Sequence, residues 1–497
     1  MNLSKSKYCR GTQCEKMLWL EKYKPECATP LDNVVVFTNG NKVGELAKQL
    51  FGDRIDIEYN QDLTTMIEST AEALKNDKCV ITEASFNYNG NFCSVDILVK
   101  NGDNYEIYEV KSSTVLSPIY LDDVSYQHFV LTGLGLNVTK TCVVHINKSY
   151  VRNGDLDIHQ LFKIEDVTET VLEKQEEVKN RIQHINEYME NTEEPEQDIN
   201  TGCFSPYDCV FFPYCSRHLT KPNVFDVKGM TQDKKLDYYH KGVSSFDDLL
   251  KEKRLNSKYK EQIEFELYGK EDKVELVKIR DFLKTLTYPL YFLDFESYQT
   301  PIPPYDNMSP YEQIPFQYSL HYYEDDKSEL KHKEFLADPG EDPRRKLAEA
   351  LVRDIPENVC VVAYNMLFEK GIIKKLAQIY PDLSEHLMNI HGNFIDLMIP
   401  FKNRDYYSKD MKGSFSIKYV LPALFPGDPS LDYHNLEGVH NGAEASATYS
   451  SLQDHTLEEQ EEIKKHMLEY CGLDTYAMVK IYKKLKDLWG YYEWIIL

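Results

Sequence analysis

Two groups of acidic residues in this chain are spaced to share a divalent cation. The first comprises Asp96, in Ser94-Val-Asp-Ile-Leu-Val, and Glu109, in Tyr108-Glu-Val-Lys111. Between them Asn101-Gly-Asp-Asn104 is a strong hairpin turn joining two β-rich runs. With residues 101 and 104 flanking the turn, Asp96 falls directly opposite Glu109, and Lys111 shares their face. The other face carries Val95, Ile97, Tyr108 and Val110, which can enter a core. An Asp and a Glu held face to face repel unless a cation lies between them. A divalent metal supplies that cation and acidifies a bound water, and the lysine can position the water or stabilise developing charge. These are the requirements of phosphodiester hydrolysis.

The second group is Asp294 and Glu296, in Leu293-Asp-Phe-Glu, with Tyr470 and Asp474, in Tyr470-Cys-Gly-Leu-Asp. Alternate residues of a strand project from one face, so Asp294 and Glu296 point the same way. Tyr470 and Asp474 are one helical turn apart, again on one face. Between them Ala363-Tyr-Asn365-Met-Leu-Phe368-Glu369 reads as a strand end entering a helix. Carboxylates converging from a strand and two helices can bind two metals, one activating water and one stabilising the leaving oxygen.

Cysteines form a third constellation. Cys203, Cys209 and Cys215 are evenly spaced around Pro206-Tyr and Phe211-Phe-Pro-Tyr, and Cys14 or Cys9 could supply a fourth thiol. Four thiolates can hold zinc or an iron–sulfur cluster. The spacing is wider than a zinc-ribbon knuckle, and unligated thiols are the third reading. Cys27, Cys79, Cys93, Cys142, Cys360 and Cys471 are scattered and read as ordinary thiols.

The elements that must position these groups suggest a multidomain α/β protein, since 497 residues exceed one ordinary core. Residues 1–222 read as one α/β unit, with helices at Lys16–Tyr23 and Gly40–Phe51. Its strands are expected at Cys79–Tyr88, Cys93–Val99, Tyr105–Ser112 and Val138–Ile146, and a long polar helix at Glu165–Met189. Residues 223–285 read as a helical connector, a plain spacer or a nucleic-acid contact. Residues 286–497 read as a second α/β domain: strands at Tyr288–Phe295, Phe316–Tyr323, Lys331–Ala337 and Val359–Tyr364, and a long helix from Leu457 to Asp487. Thr300-Pro-Ile-Pro-Pro opens a proline-rich insertion, read as a stiff surface loop or a substrate gate.

The net charge of −24 argues against a nonspecific nucleic-acid coat protein but not against a metal-dependent enzyme on nucleic acid. The N-terminal residues lack an apolar signal-peptide core, and no apolar run approaches the roughly 20 residues of a membrane span. A cytoplasmic protein without membrane partners is expected, and eleven cysteines there are no disulfide framework.

The first acidic set resembles the PD-(D/E)XK nucleases, in which the acidic pair and lysine bind metal and activate water. Glu83 fits an additional acidic position of RecB-like members, and Gln127, in Tyr126-Gln-His, fits their glutamine after the lysine. Those nucleases often carry a histidine ligand after a glycine; here Gly40 leads to Gly44 and then Glu45. One N-terminal and three C-terminal cysteines resemble the iron–sulfur RecB-like nucleases. The resemblance implies a structural 4Fe–4S cluster on Cys14, Cys203, Cys209 and Cys215, with zinc as the alternative.

The second set resembles the DnaQ-like DEDDy exonucleases, which have an RNase H-like fold. The resemblance assigns Asp294, Glu296, Glu369 and Asp474 to Mg²⁺ or Mn²⁺, with Tyr470 orienting the attacking water. Glu369 stands where that family has an aspartate; Asp396 fits a downstream, structural position. The whole chain is similar to an uncharacterised bacterial family fusing the two nucleases. That implies a metal-dependent 3′→5′ deoxyribonuclease in repair, defence or end trimming. The rivals are RNA as substrate, one working site, or a catalytically decayed iron–sulfur scaffold that binds nucleic acid.

Overall fold

The computed structural model describes residues 3–29 and 34–496. The chain forms two compact α/β units. One comprises residues up to Thr220 with Thr300–Tyr311; the other comprises Lys221–Gln299 with the residues from Glu312 onward. The connector residues 223–285 therefore belong to the second unit. No helix among the described residues is long and apolar enough to cross a membrane.

The first unit is built on a seven-stranded sheet. Its strands are β1 (Leu3–Ser4), β2 (Ile55–Asp56), β3 (Lys78–Tyr88), β4 (Asn91–Asn101), β5 (Asn104–Lys111), β6 (Asn137–Ile146) and β7 (Phe162–Asp166). The order is β2-β3-β4-β5-β6-β7, with β1 pairing β4 as well. Gly102, with φ of +62°, makes the turn between β4 and β5, and the ladder runs from Asn101↔Asn104 to Ile97↔Tyr108 as the turn chemistry predicts. There it stops. At the other end of β4, β1 pairs in parallel with Asn91 and Phe92. The stretch of β4 between these two pairings holds Asp96.

Side chains of the sheet enter two cores. Val95, Leu98 and Ile107 pack with Leu18, Tyr126 and Leu131, while Ile97 and Tyr108 pack with Val43, Cys142 and Val144. The polar stretch read as one helix from Glu165 to Met189 is instead the end of β7 and two helices, Thr168–Glu173 and Gln175–Tyr188, broken at Lys174. Glu165 and Asp166 pair with β6 because alternation there wins over helical spacing. The proline-rich segment packs on its own unit: Arg152 Nη1 donates to the carbonyls of Pro303 and Pro304 at 3.1 and 2.8 Å, and the Tyr311 hydroxyl donates to the Ser112 carbonyl.

The second unit pairs β8 (Lys273–Val274) with β14 (Tyr406–Tyr407), apart from a mixed five-stranded sheet. The sheet comprises β9 (Leu290–Tyr298), β10 (Ile314–Tyr323), β11 (Lys331–Leu336), β12 (Cys360–Ala363) and β13 (Phe394–Asp396), ordered β11-β10-β9-β12-β13. Strands β9, β10 and β11 are antiparallel; β12 joins β9 and β13 in parallel. Alternation on β9 sends Tyr291, Leu293 and Phe295 into one core and Leu290 and Phe292 into the other, so both faces of the strand are covered. The Phe292 face also carries Asp294 and Glu296.

Over that face runs the helix Leu457–Ile496. Its Ala477, Met478 and Ile481 pack in the core that holds Phe292. Hydrogen bonds fix it in register: Gln317 Nε2 donates to the Met467 carbonyl at 2.8 Å, and Thr475 Oγ1 lies 2.6 Å from Ser319 Oγ.

Candidate metal centres

In the second unit the strand and helix bring Asp294, Glu296 and Asp474 together, one carboxylate oxygen from each lying within 4.8 Å of the others. Among the described residues this is the set of three ligating groups with that spacing. Glu369 arrives from the helix Leu367–Ile379. The turn into that helix is made at Asn365, whose φ of +71° is a left-handed conformation that asparagine tolerates. Asn365 is held by its N–H donating to Asp396 Oδ1 at 2.9 Å, and the Met398 N–H donates to the same oxygen at 3.0 Å. Asp396 thus orders the turn.

The Glu369 carboxyl faces Asp294, and the two acids act on each other's protonation. Glu369 is 2% exposed, and its Oε2 has no hydrogen-bond partner. Crowded and buried, these acids hold protons unusually tightly. Burial and the Asp474 charge push Glu296 up to about 8. Burial raises Asp294 well above the ordinary range, reinforced by Asp474, Glu369 and Glu296. Burial takes Asp474 only to about 6, because hydroxyls of Tyr433 and Tyr470 and the charge of Lys418 favour its anion. The Tyr433 hydroxyl donates to Asp474 Oδ1 at 2.6 Å. A cavity of about 930 Å³ opens on Tyr470 and Asp474, walled by Lys418, Leu421, Phe425 and Tyr433.

In the first unit, Glu83, Asp96 and Glu109 stand in a row across β3, β4 and β5. The β3–β4 ladder skips Glu83 and Asp96, and Glu83 has a φ of +55°, a strained conformation within a strand. Opposite Glu109 the β4–β5 ladder has ended, and Asp96 Oδ2 accepts the Val110 N–H at 2.7 Å instead. Both lysines of the site donate to Glu109 Oε1, Lys5 at 2.7 Å and Lys111 at 2.8 Å, while Gln127 Nε2 donates to Oε2 at 2.6 Å. Lys111 also pairs with Asp123.

The two acids titrate apart. Burial and the Glu109 charge raise Asp96 to about 7. Burial opposes ionisation of Glu109 as well, but Lys111 and Lys5 outweigh it and hold that acid at about 2. Glu45 is exposed and pairs with Lys48 at 2.7 Å; Lys48 reaches Glu83 at 3.3 Å. Lys5, Asp123 and Tyr433 were not singled out from sequence. Lys5 and Tyr433 sit far along the chain from the groups they serve, Asp123 lies 12 positions from Lys111, and no short motif marks any of them.

The cysteine loop closes on the N-terminal helices. Cys14 caps the helix Glu15–Tyr23, and its thiol is pushed up to about 12 by burial and by Cys209 and Cys203. Burial and the same two thiols raise Cys215 to about 11, against Lys16. The four cysteines therefore neighbour one another. Gln13 Nε2 stitches the loop by donating to the carbonyls of Gly202 and Tyr207, both at 2.7 Å. Cys9 lies elsewhere, its Sγ donating to Asp123 Oδ1 at 2.8 Å beside Lys111.

Residues 291–416 match a domain of unknown function, DUF2779. The match takes in Asp294, Glu296, Glu369 and Asp396 and ends before Tyr470 and Asp474. Uncharacterized protein UU173 of Ureaplasma parvum serovar 3 is 25% identical over 250 residues, covering 46% of this chain and 36% of that protein. The chain thus spans about a third of the length of the curated relative it matches. No solved structure matches.

Proposed function

We propose that the protein is a divalent-metal-dependent nuclease that hydrolyses DNA phosphodiesters, at ends or on single strands, with the second unit as its principal catalytic centre. The observation that carries this reading is the convergence of Asp294, Glu296 and Asp474 within 4.8 Å, beside Glu369. Buried carboxylates in such number repel one another and favour protonation unless a cation joins them. The unpartnered Glu369 Oε2 and the all-oxygen donor set fit Mg²⁺ or Mn²⁺. Such ions, when bound, polarise a phosphoryl oxygen and lower the pKa of water. Tyr470 lies on the cavity beside Asp474, where its hydroxyl can orient a water, and Lys418 can meet a substrate phosphate. The sheet order β11-β10-β9-β12-β13 supports an RNase H-like, DnaQ-like assignment of this unit.

For the first unit we propose a RecB-like PD-(D/E)XK domain. The row Glu83–Asp96–Glu109 with Lys111 and Gln127 supports it. The four neighbouring cysteines support a structural metal group there. Four such thiols can hold a 4Fe–4S cluster, with zinc as the alternative. One observation favours a single working centre: every Glu109 oxygen already has a protein donor.

Digestion of end-labelled single- and double-stranded DNA and RNA, with and without Mg²⁺ or Mn²⁺, tests the reading. Metal-dependent shortening of DNA is expected. Intact substrates under every divalent metal would remove the enzyme assignment, and cleavage of RNA alone would remove DNA as substrate.

A further inference from the structure

The first acidic set contains a cation of its own. Where β5 leaves β4 beyond Ile97, the free edge of β4 is met by β1, and the chain leaves β1 directly into Lys5. The Tyr126 hydroxyl, donating to the Leu3 carbonyl at 2.5 Å, fixes that approach. The Lys5 ammonium is thereby carried to Glu109 Oε1 at 2.7 Å, and the charge of Asp96 acts on it too.

Glu109 already accepts from three donors. Lys5 and Lys111 share its Oε1, and Gln127 holds its Oε2. A divalent ion coordinated by Glu109 and Asp96 has to share Glu109 with these donors, and the ammonium groups are the ones whose charge repels it. Gln127 is fully buried and packed into the unit. Lys111 is tied down a second time by Asp123. Lys5 and Lys111 are about equally exposed, at 21% and 19%, but Lys5 makes no second ion pair with an acid among the described residues, so it is the donor free to leave. Gln127 supplies an independent sign of a missing ligand: its Oε1 is buried without a hydrogen-bond partner while its Nε2 is engaged at the site.

We propose that Lys5 is the resident counter-cation of the first acidic set, and that a divalent ion enters between Asp96 and Glu109 only by displacing it. The proposal rests on reading that set as a divalent-metal site. Like charges cannot share one carboxylate oxygen at close range without mutual cost, so metal affinity is set by competition with the ammonium. A protein metal site of this kind binds weakly at rest and fills when Lys5 is drawn away.

The test is Mn²⁺ binding followed by electron paramagnetic resonance on the full chain, with Asp294→Asn and Asp474→Asn removing the second set. Lys5→Met is expected to tighten Mn²⁺ binding on the order of tenfold or more. Lys5→Arg should bind as the parent does, and adding Glu109→Gln to Lys5→Met should abolish the gain. Lys5→Gln serves as a second neutral variant, and circular dichroism checks the fold of each. Equal or weaker binding in the neutral variants would overturn the competition while leaving the metal site in place. If neither parent nor variants bind Mn²⁺ in a manner sensitive to Glu109→Gln, the metal reading of the first set falls with it.

Discussion

Tyr433 donates its hydroxyl proton to Asp474 Oδ1 at 2.6 Å, across 41 residues of sequence. Tyr470, one helical turn before Asp474, also favours its anion. One carboxylate of the triad is thus oriented by a tyrosine from the short turn Tyr433–Asn435. Groups that hydrogen-bond a metal-ligating carboxylate fix its orientation and tune its basicity.

Tyr433→Phe removes that orientation and leaves the ring in place. Metal-dependent cleavage is expected to fall roughly 10- to 100-fold, with a parallel rise in the Mn²⁺ concentration needed for half-maximal rate. Steady-state kinetics against metal concentration measures both. A variant with unchanged metal requirement would show that the bond does not hold Asp474 for metal.

The pH dependence of stability has a definite sign. Glu296 is raised from an ordinary value near 4.5 to about 8, so between those values the folded site binds more protons than the unfolded chain. Stability of the metal-free protein therefore falls as pH rises through that window. Glu296→Gln removes this penalty: it should match the wild type near pH 4.5 and exceed its Tm by a few °C near pH 8. Mg²⁺ should restore the wild type at the alkaline end. Thermal melts across the range would contradict the account if the two proteins ran parallel.

Gly202 adjoins Cys203, and a Cβ on it would lie 2.3 Å from the Gln13 carbonyl oxygen. That oxygen is backbone, next to Cys14, and cannot yield cheaply. Gly202→Ala is expected to destabilise the first unit by about 1–3 kcal/mol and to lower iron and sulfide content, as Cys14→Ala and Cys203→Ala should. Cys9→Ala should leave the content unchanged, because its thiol bonds Asp123. Analysis of anaerobically purified protein decides; zinc in place of iron, or loss with Cys9→Ala, would refute the ligand set.

Local periodicity made much of this architecture legible. The hairpin at Asn101–Asn104 sets the register that aims Asp96 at Glu109, and alternation on β9 puts Asp294 and Glu296 on one face. The helix expected at Gly40–Phe51 starts instead at Val34, earlier than the polar residues suggested. Lys5 meets Glu109 over 104 positions, and Tyr433 meets Asp474 through an irregular loop. Such partners are chosen by tertiary packing and leave no periodic trace. Proximity of Cys14 to Cys203 likewise depends on a close backbone approach that Gly202 allows.

The most direct test of the central claim is metal-dependent digestion of end-labelled single-stranded DNA by wild type, Asp294→Ala, Glu109→Ala and the double variant. Asp294→Ala is expected to lose most of the cleavage, on the order of a thousandfold, and the double variant to cleave nothing measurable. If the double variant digests DNA as the wild type does, neither acidic set is the catalytic centre and the account fails.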